Sequence, residues 1–450
     1  MLFGSLDMQL EQDVHEVLKM LDAHMRPTYT VPMGEVTCRT DIKSADGPFN
    51  TVPSYRTAYP SAVVKALCEL YREYNAMFRA LMVANMEWST DYQHCVWNTR
   101  VVNCMVQVDM VALPDPFLRE AAGMPVPLLK EVLRRRIFEI ENSLAMYDLL
   151  INICPGDRMH SRFKTGYHSV LGHVRKRFVK RPIALLAPTQ AKYDAMCLSE
   201  FGHAGPISDE EVKSRIGFDR LFGPDDFRDY IGRTGACEYL LYVRSSDPVE
   251  RLKDPSVVVA QPLLGDPDMR KLIKANALTM NVDAPDAEAA RRINDTKEYM
   301  PMMGMGYRVN CAHELLGRPF GWYLAAQGID LNDVREKNVS LRAKPLRGTY
   351  GCYGHIHGPV TAKFRGELDR QIALRKDAYV VQPEYRALHL EDRDSKRRYI
   401  AIDRNFFGIV GEEPMFLSGF RSMMPVDSHE AKSGRVHGNA DTLWAEVLVS

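Results

Sequence analysis

The residues best suited to chemistry lie between positions 342 and 355, where a lysine precedes three regularly spaced glycines. Lys344 is followed by Gly348, Gly351 and Gly354. Glycine lets backbone N–H groups approach phosphate oxygens closely, and a lysine ammonium neutralises their charge. The order differs from that of the P-loop, in which the lysine follows the glycines. The stretch therefore indicates either a phosphate-binding loop or a glycine-rich hairpin turn.

Further polar groups follow this loop at positions that suit a nucleotide. The apolar run 379–382 ends in Gln382, and Glu384 lies two residues beyond it. An adenine ring could lie against such a strand, with its exocyclic amine met by backbone carbonyls and by Gln382 or Glu384. Arg404 and Arg421 follow later in the chain. The planar guanidinium of arginine suits bidentate binding of carboxylate or phosphate oxygens.

The order of these segments resembles the ATP-grasp superfamily, specifically its circularly permuted, glutathionylspermidine-synthase-like branch. The matching segments are, in chain order, Lys344-Pro345 with its glycines, Tyr379-Val380-Val381-Gln382, Arg404 with Phe406, Gly419-Phe420-Arg421 and Asp441-Thr442-Leu443-Trp444. Residues 294–301 are similar to a further family segment. The resemblance implies that Lys297, within that segment, is a second lysine at the nucleotide phosphates.

The resemblance also implies a Mg²⁺ site on two early strands. Asp41 and Asn50 offer carboxylate and amide oxygens, which Mg²⁺ accepts as ligands. The family carries a glutamate two residues before the asparagine, where this chain has Pro48. Asp46 and Glu35 are the two alternatives for the second carboxylate. Without one, the resemblance implies a protein that has lost the metal.

By the same resemblance, we expect an enzyme that uses ATP and Mg²⁺ to activate a carboxylate as an acyl phosphate. An amine would then displace phosphate and form an amide, the substrates being amino acids, peptides or polyamines. The residues expected to act are Arg421, Arg404 and Lys344 in catalysis, Lys297, Lys344, Gly348, Gly351, Gly354, Gln382 and Glu384 at the nucleotide, and Asp41 and Asn50 at the metal. Two alternatives stay open: a catalytically degenerate ATP-grasp scaffold for binding or assembly, and a phosphoryl transferase of the same fold.

Hydrophobic patterns divide the chain into three regions. Residues 1–180 are mostly helical in pattern, with the permuted metal-binding strands at about 30–60. Residues 181–325 alternate strand and helix, which is typical of a βαβ domain. Residues 326–450 contain strand-like runs separated by turns, and they form the expected nucleotide-binding sheet. The expected fold class is α/β (α+β): a circularly permuted ATP-grasp fold with a pre-ATP-grasp-like central domain and an added helical N-terminal region.

Within the first region, the helical spacing of apolar residues predicts helices over 6–25, 62–86 and 128–154. The last of these contains the basic run Arg134, Arg135 and Arg136. Basic runs on helices are usually solvated, so we expect these three side chains on an exposed helix face.

Composition excludes several classes of protein. The chain has 450 residues, and its 58 Lys and Arg balance its 58 Asp and Glu, which argues against a nucleic-acid partner bound through bulk positive charge. Its nine cysteines form no CxxC pair, so we expect a cytoplasmic protein without disulfides. No apolar run approaches the ~18 residues of a membrane span, and no signal peptide is expected. A homodimer is left open.

Overall fold

A computed structural model describes most of the chain. The described residues are 8–44, 47–85, 105–142, 165–166, 168–172, 181–187, 189–243, 267–279, 297–346, 355–410, 413–428 and 441–450. Their strands are β1 (Thr28–Val31), β2 (Thr37–Ser44), β3 (Gly47–Tyr59), β4 (Met105–Val111), β5 (Ile137–Asn142), β6 (Ile183–Leu186), β7 (Arg220–Phe222), β8 (Leu240–Val243), β9 (Leu278–Thr279), β10 (Tyr307–Val309), β11 (Ser340–Pro345), β12 (Ile356–Pro359), β13 (Tyr379–Pro383), β14 (Leu388–Asp392), β15 (Arg398–Val410), β16 (Glu413–Pro425) and β17 (Leu443–Val449).

Helices connect and cover these strands. The α-helices among the described residues are α1 (Met8–His24), α2 (Ser61–Asn85), α3 (Asp115–Ala121), α4 (Val126–Arg134), α5 (Gln190–Met196), α6 (Asp209–Ile216), α7 (Pro224–Thr234), α8 (Pro267–Asn276), α9 (Tyr299–Met302), α10 (Arg318–Ala326), α11 (Leu331–Arg335) and α12 (Ala362–Arg375). In this part of the chain, no helix combines the length and apolar character that crossing a bilayer requires. Helices and sheets are mixed along the sequence, which confirms the coarse α+β prediction.

The largest sheet combines strands from both ends of the chain. Its nine strands follow the order β1-β14-β15-β16-β17-β3-β2, with β4 pairing along the second half of β15 and β5 pairing with β4. Most neighbours are antiparallel, but β17 pairs in parallel with β3, and β1 with β14. We call this the large sheet. It joins early strands to late ones, so its two faces are built from residues that lie far apart in sequence.

The two faces of the large sheet meet different partners. One face packs against α1 and α2, where Phe407 and Val447 share a core with Leu18 and Tyr71. On the other face, Phe406, Phe420 and Trp444 share a core with Ile183 and Leu185 of β6. Successive residues of a strand point to opposite faces, which is why Phe406 and Phe407 lie in different cores.

Two smaller sheets complete the structure. The central sheet has the order β7-β6-β8-β9 with all neighbours parallel, and β6 is buried throughout, as its continuous apolar run predicts. Residues 256–260, whose run of three valines is typical of a further strand, lie outside the described residues. The small sheet has the order β10-β13-β11-β12. Leu341 and Ala343 of β11 pack under α10 and α12, so the intervening Arg342 and Lys344 leave from its opposite face.

The predicted helix over 128–154 is wrong between Arg134 and Asn142, and residues 143–154 lie outside the part of the chain that the structure describes. The helix α4 ends at Arg134 in a tight turn, in which the Arg136 N–H donates to Leu133 O at 2.8 Å. The chain then enters β5, which satisfies its backbone groups by pairing with β4. Both strands are largely buried, and the apolar residues of such short segments do not distinguish strand from helix by spacing alone.

The basic run at the end of α4 is also not a solvated face. Arg135 and Arg136 are 5% and 4% exposed. Arg135 bonds both oxygens of Glu11, and Arg136 bonds Asp22, so both side chains tie α4 to α1. Arg134 instead bonds Glu73 of α2. The three arginines therefore join helices to one another.

Close packing at Gly408 of β15 supplies a test of how the sheet is covered. A Cβ atom at this position would collide with the side chain of Val170 and lie 3.0 Å from Leu417 Cδ1. Gly408→Ala is therefore expected to lower the free energy of unfolding by about 1–3 kcal/mol. Gly366, inside α12, has no neighbouring atom within 4 Å of such a Cβ. Gly366→Ala is the control, and we expect it to stabilise the protein by about 0.5–1 kcal/mol. Urea unfolding measures both, and equal stability of Gly408→Ala and wild type would contradict the packing.

Candidate functional site

Two lysines from different segments meet at one buried carboxylate. Lys297 Nζ lies 2.8 Å from Glu139 Oε1, and Lys344 Nζ lies 3.1 Å from Glu139 Oε2. Lys344 also donates to Phe138 O at 2.8 Å. The side chains of the two lysines are 6% and 4% exposed, and that of Glu139 is 11% exposed. Each carboxylate oxygen therefore holds one ammonium in a place that water barely reaches.

The backbone explains why these three side chains converge. Lys344 leaves the open face of the small sheet through β11, whereas Glu139 comes from β5 at the edge of the large sheet. Lys297 lies just before α9, and its backbone N–H donates to Leu346 O at 2.7 Å. This bond fixes the Lys297 segment alongside the end of β11. The site consequently lies between the two sheets.

Two further charged side chains lie beside Glu139 on neighbouring strands of the large sheet. Asp109 of β4 is directly opposite Glu139 of β5, and Arg404 of β15 is directly opposite Asp109. Directly opposed residues on antiparallel strands project from the same face. Arg404 Nη2 lies 3.3 Å from Asp109 Oδ2, and Gln107 Nε2 donates to Asp109 Oδ1 at 2.8 Å. We call Glu139, Asp109, Arg404, Lys297 and Lys344 the charged cluster.

Burial and charge together set the ionisation of the charged cluster. Burial raises the pKa of the Glu139 carboxyl, but the ammonium groups of Lys297 and Lys344 outweigh this and hold the pKa well below its usual range. Burial lowers the pKa of Lys344, opposed by Glu139, and raises the pKa of Asp109, opposed by Arg404. Burial and the nearby Lys344 also lower the pKa of His355 well below its usual value. At neutral pH Glu139 is therefore ionised and the His355 imidazole is neutral.

The donor set of the charged cluster fits Mg²⁺ shared with phosphate. Asp109 and Glu139 are two opposed carboxylates, and Mg²⁺ in nucleotide sites typically takes one or two carboxylates together with phosphate oxygens and waters. No group of three or more His, Cys, Asp or Glu suited to a metal occurs within the described ranges.

The predicted metal ligands Asp41 and Asn50 lie on strands that are far along the large sheet from Glu139. Asp41 lies on β2 and Asn50 on β3. The sheet order places β4, β15, β16 and β17 between β5 and β3, which makes five steps of about 4.8 Å, or about 24 Å along the sheet. The carboxylates that face the lysines are those of Asp109 and Glu139.

The predicted catalytic residue Arg421 lies on the opposite face of the large sheet from Arg404. Its register partner is Asp403, not Arg404, and its side chain is 1% exposed. It bonds Asp403 at 2.7 and 2.9 Å, the Tyr55 hydroxyl at 2.9 Å and Leu113 O at 2.8 Å. The guanidinium is thus engaged in a buried network and does not reach the charged cluster.

The residues predicted to bind the nucleotide do not all lie at the charged cluster either. Gln382 is 2% exposed, and its side-chain amide donates to Ile137 O at 3.2 Å and Met305 O at 2.6 Å. It therefore connects the small sheet to the large one. Glu384 is partly exposed and accepts a hydrogen bond from Arg342 Nη2 at 3.2 Å. Arg342 lies on β11, the strand that carries Lys344. Gly348, Gly351 and Gly354 lie outside the described residues.

Asp109 and Glu139 are the two residues that sequence reasoning missed. A signal for them exists in the alternation of polar residues within apolar strands. Gln107 and Asp109 alternate with valine and methionine in β4, and Glu139 and Glu141 alternate with isoleucine and phenylalanine in β5. A period of two predicts that the polar residues share one face of each strand. The adjacency of those faces requires the sheet order, which the sequence does not show.

Comparison with known proteins adds no assignment. No protein-family model matches the chain, and no curated protein is significantly similar to it. The interpretation of the site therefore relies on its geometry and chemistry.

Proposed function

We propose that the protein is an ATP- and Mg²⁺-dependent ligase of the ATP-grasp type, which joins a carboxylate to an amine. One observation carries the proposal: Lys297 and Lys344, from separate segments, reach the same buried carboxylate between two sheets. A triphosphate held between two sheets needs cations from both sides and a metal-binding carboxylate nearby. The charged cluster offers all three.

Structural stability alone is a poor explanation for this arrangement. Removing charges from water is expensive, and a buried ion pair is often no more stabilising than apolar residues of similar size. The cluster buries two ammonium groups beside each other, and Arg404 and Asp109 add a second buried pair. Such concentrations of perturbed ionisable groups are more typical of functional sites than of cores.

The chain order supports the circularly permuted form of the fold. The strands β4 and β5, which carry the carboxylates Asp109 and Glu139, precede in sequence the strand β11, which carries Lys344. A permuted arrangement of this kind was expected from the resemblance, although on β2 and β3. The proposal therefore keeps the permutation and moves the metal ligands from Asp41 and Asn50 to Asp109 and Glu139.

In the proposed reaction, Lys297 and Lys344 neutralise the phosphate charge and hold the γ-phosphoryl group in line with the substrate. A bound Mg²⁺, held by Asp109 and Glu139, would supply further charge neutralisation. The substrate carboxylate oxygen attacks the γ-phosphorus, ADP leaves, and an acyl phosphate forms. The amine then attacks the acyl carbon, phosphate leaves, and a proton is lost from nitrogen. Arg404, which leaves the same face as Asp109, binds the acyl phosphate oxygens.

The test is an assay of ADP release against a panel of amino acids, small peptides and polyamines, with and without hydroxylamine. The ligase predicts amine-dependent phosphate release and a hydroxamate product when hydroxylamine traps the acyl phosphate. Phosphorylation that needs no amine would instead indicate a phosphoryl transferase. Absence of ATP binding by calorimetry in the presence of Mg²⁺ would refute the proposal and leave the scaffold alternative.

A further inference from the structure

The outer edge of β5 is bound by side chains instead of by a strand. Among the described residues, β5 pairs with β4 alone and is the last strand on its side of the large sheet. Such an edge presents a row of backbone N–H and C=O groups without strand partners. On this edge, Lys344 Nζ donates to Phe138 O at 2.8 Å. Two residues further along, the Tyr299 hydroxyl donates to Ile140 O at 2.7 Å and accepts from Ile140 N at 2.8 Å.

The ring of Tyr299 is held so that its hydroxyl reaches this edge. The residue is 2% exposed, and its ring packs perpendicular to that of Tyr74 on α2, with 4.8 Å between the ring centroids. Edge-to-face packing of this kind is favourable and orients both rings. One hydroxyl thereby serves both backbone groups of Ile140, which is itself buried. Loss of the hydroxyl would take this partner from a buried N–H and a buried C=O together, which is costly.

The Tyr299 hydrogen bonds join two segments that each supply a member of the charged cluster. Tyr299 is two residues from Lys297, and Ile140 directly follows Glu139. On its other side, the Lys297 backbone N–H donates to Leu346 O, just beyond the end of β11. The Lys297 segment is therefore fixed both to β5 and to the end of β11. These are the two strands that carry its partners in the charged cluster.

We propose that Tyr299 is a positioning residue, which places the Lys297 ammonium beside that of Lys344 by joining the start of α9 to β5. The inference rests on the proposed function, and it adds a residue that acts through its neighbours. A lysine has a flexible four-carbon stem, so its ammonium is placed accurately only when its backbone is fixed. Two ammonium groups that bind one triphosphate must keep a set separation, and a misplacement of about 1 Å can cost about 100-fold in rate.

Calorimetry of ATP binding in the presence of Mg²⁺ tests this role without a known substrate. Tyr299→Phe keeps the ring and removes the hydroxyl. We expect its affinity for ATP to fall about tenfold, because a hydrogen bond from a charged group such as Lys297 contributes about that factor or more.

Tyr29→Phe is the matched control. The Tyr29 hydroxyl also donates to a backbone carbonyl, His24 O at 2.7 Å, but this bond joins β1 to the end of α1. The variant loses a tyrosine hydrogen bond of the same kind, away from the Lys297 segment. It is expected to bind ATP as tightly as the wild type does.

A double-mutant cycle separates positioning from support of the fold. Lys297→Met removes the ammonium that Tyr299 is proposed to place. When Tyr299 acts through Lys297, adding Tyr299→Phe to this variant changes the affinity for ATP by less than about twofold. A role confined to the fold would instead lower the affinity by the same factor with and without Lys297.

Circular dichroism shows whether each variant folds. Should Tyr299→Phe fail to do so, Tyr74→Leu replaces it, because this change removes the ring that orients Tyr299 and keeps the hydroxyl. Its affinity for ATP is expected to fall at least about threefold, again only while Lys297 is present.

The outcomes separate this inference from the proposed function. Equal affinity of the wild type and the variant at position 299 or 74, or an equal loss with and without Lys297, overturns the positioning role and leaves the ligase proposal standing. A wild type that does not bind ATP refutes the proposed function and this inference with it.

Discussion

Lys344→Met is expected to lower ATP-dependent turnover by about 100- to 1,000-fold, because it removes a cation that neutralises charge developing on the transferred phosphoryl group. Methionine keeps the length of the side chain and loses the ammonium. Lys297 would remain on Glu139, and the phosphates would lose one of the two ammonium groups. The measurement is steady-state ADP release, with nucleotide affinity determined separately by calorimetry.

The same substitution is expected to reduce stability, since Lys344 is buried. An exposed lysine would leave the thermal midpoint unchanged, but this ammonium donates to Phe138 O and Glu139 in a place with little water. Leaving a buried acceptor without its donor costs about 1–3 kcal/mol. Lys363→Met is the control, because Lys363 is exposed on α12. A Lys344→Met protein with a lower thermal midpoint and undiminished turnover would show that this lysine serves the fold alone.

Arg421→Met is expected to destabilise the protein by about 3–5 kcal/mol, because it leaves the buried carboxylate of Asp403 without its cation. Asp403 is fully buried, and its remaining donors are the Tyr59 hydroxyl at 2.6 Å and the Leu113 N–H at 3.2 Å. Arg421 also donates hydrogen bonds to Leu113 O and to the Tyr55 hydroxyl. Its loss therefore removes the side-chain hydrogen bonds that join β16 to β3 and to the segment after β4. Chemical denaturation monitored by circular dichroism measures the effect.

Two further variants are controls for this measurement of stability. Arg370→Met removes an exposed arginine paired with Glu367 on α12, and we expect no measurable loss of stability, because exposed ion pairs contribute little. The double variant Asp403→Leu with Arg421→Met removes both charges and is expected to recover part of the stability. Full stability of Arg421→Met would contradict the buried network, and would reopen a role for Arg421 at a ligand.

The sequence predicted local elements well where a single pattern was decisive. The helical stripe of α2, in which Val63, Leu67, Leu70 and Tyr74 are buried, follows from apolar spacing alone. The parallel strand β6 follows from a short, wholly apolar run. By contrast, β5 was predicted as helix, because it follows α4 after two residues and its own apolar residues fit either period.

The site was only partly predictable, because it depends on pairing between distant strands. Lys297 and Lys344 lie together, as the sequence-based hypothesis required, but their carboxylate partner was not recognised. The sequence gives no reason to distinguish Arg404 from Arg421. The two side chains nevertheless project from different faces of the large sheet, because Arg421 pairs with Asp403 and not with Arg404 in the register of β15 and β16. A register of β16 shifted by one residue would place Arg421 on the same face as Arg404, and no local pattern determines which register forms.

The position of β17 has a consequence for truncated forms of the chain. This strand, Leu443–Val449, lies inside the large sheet between β16 and β3. A premature stop codon before position 443 would therefore remove the shared neighbour of two strands and leave β3 and β16 with bare hydrogen-bonding edges. Such edges are templates for aggregation.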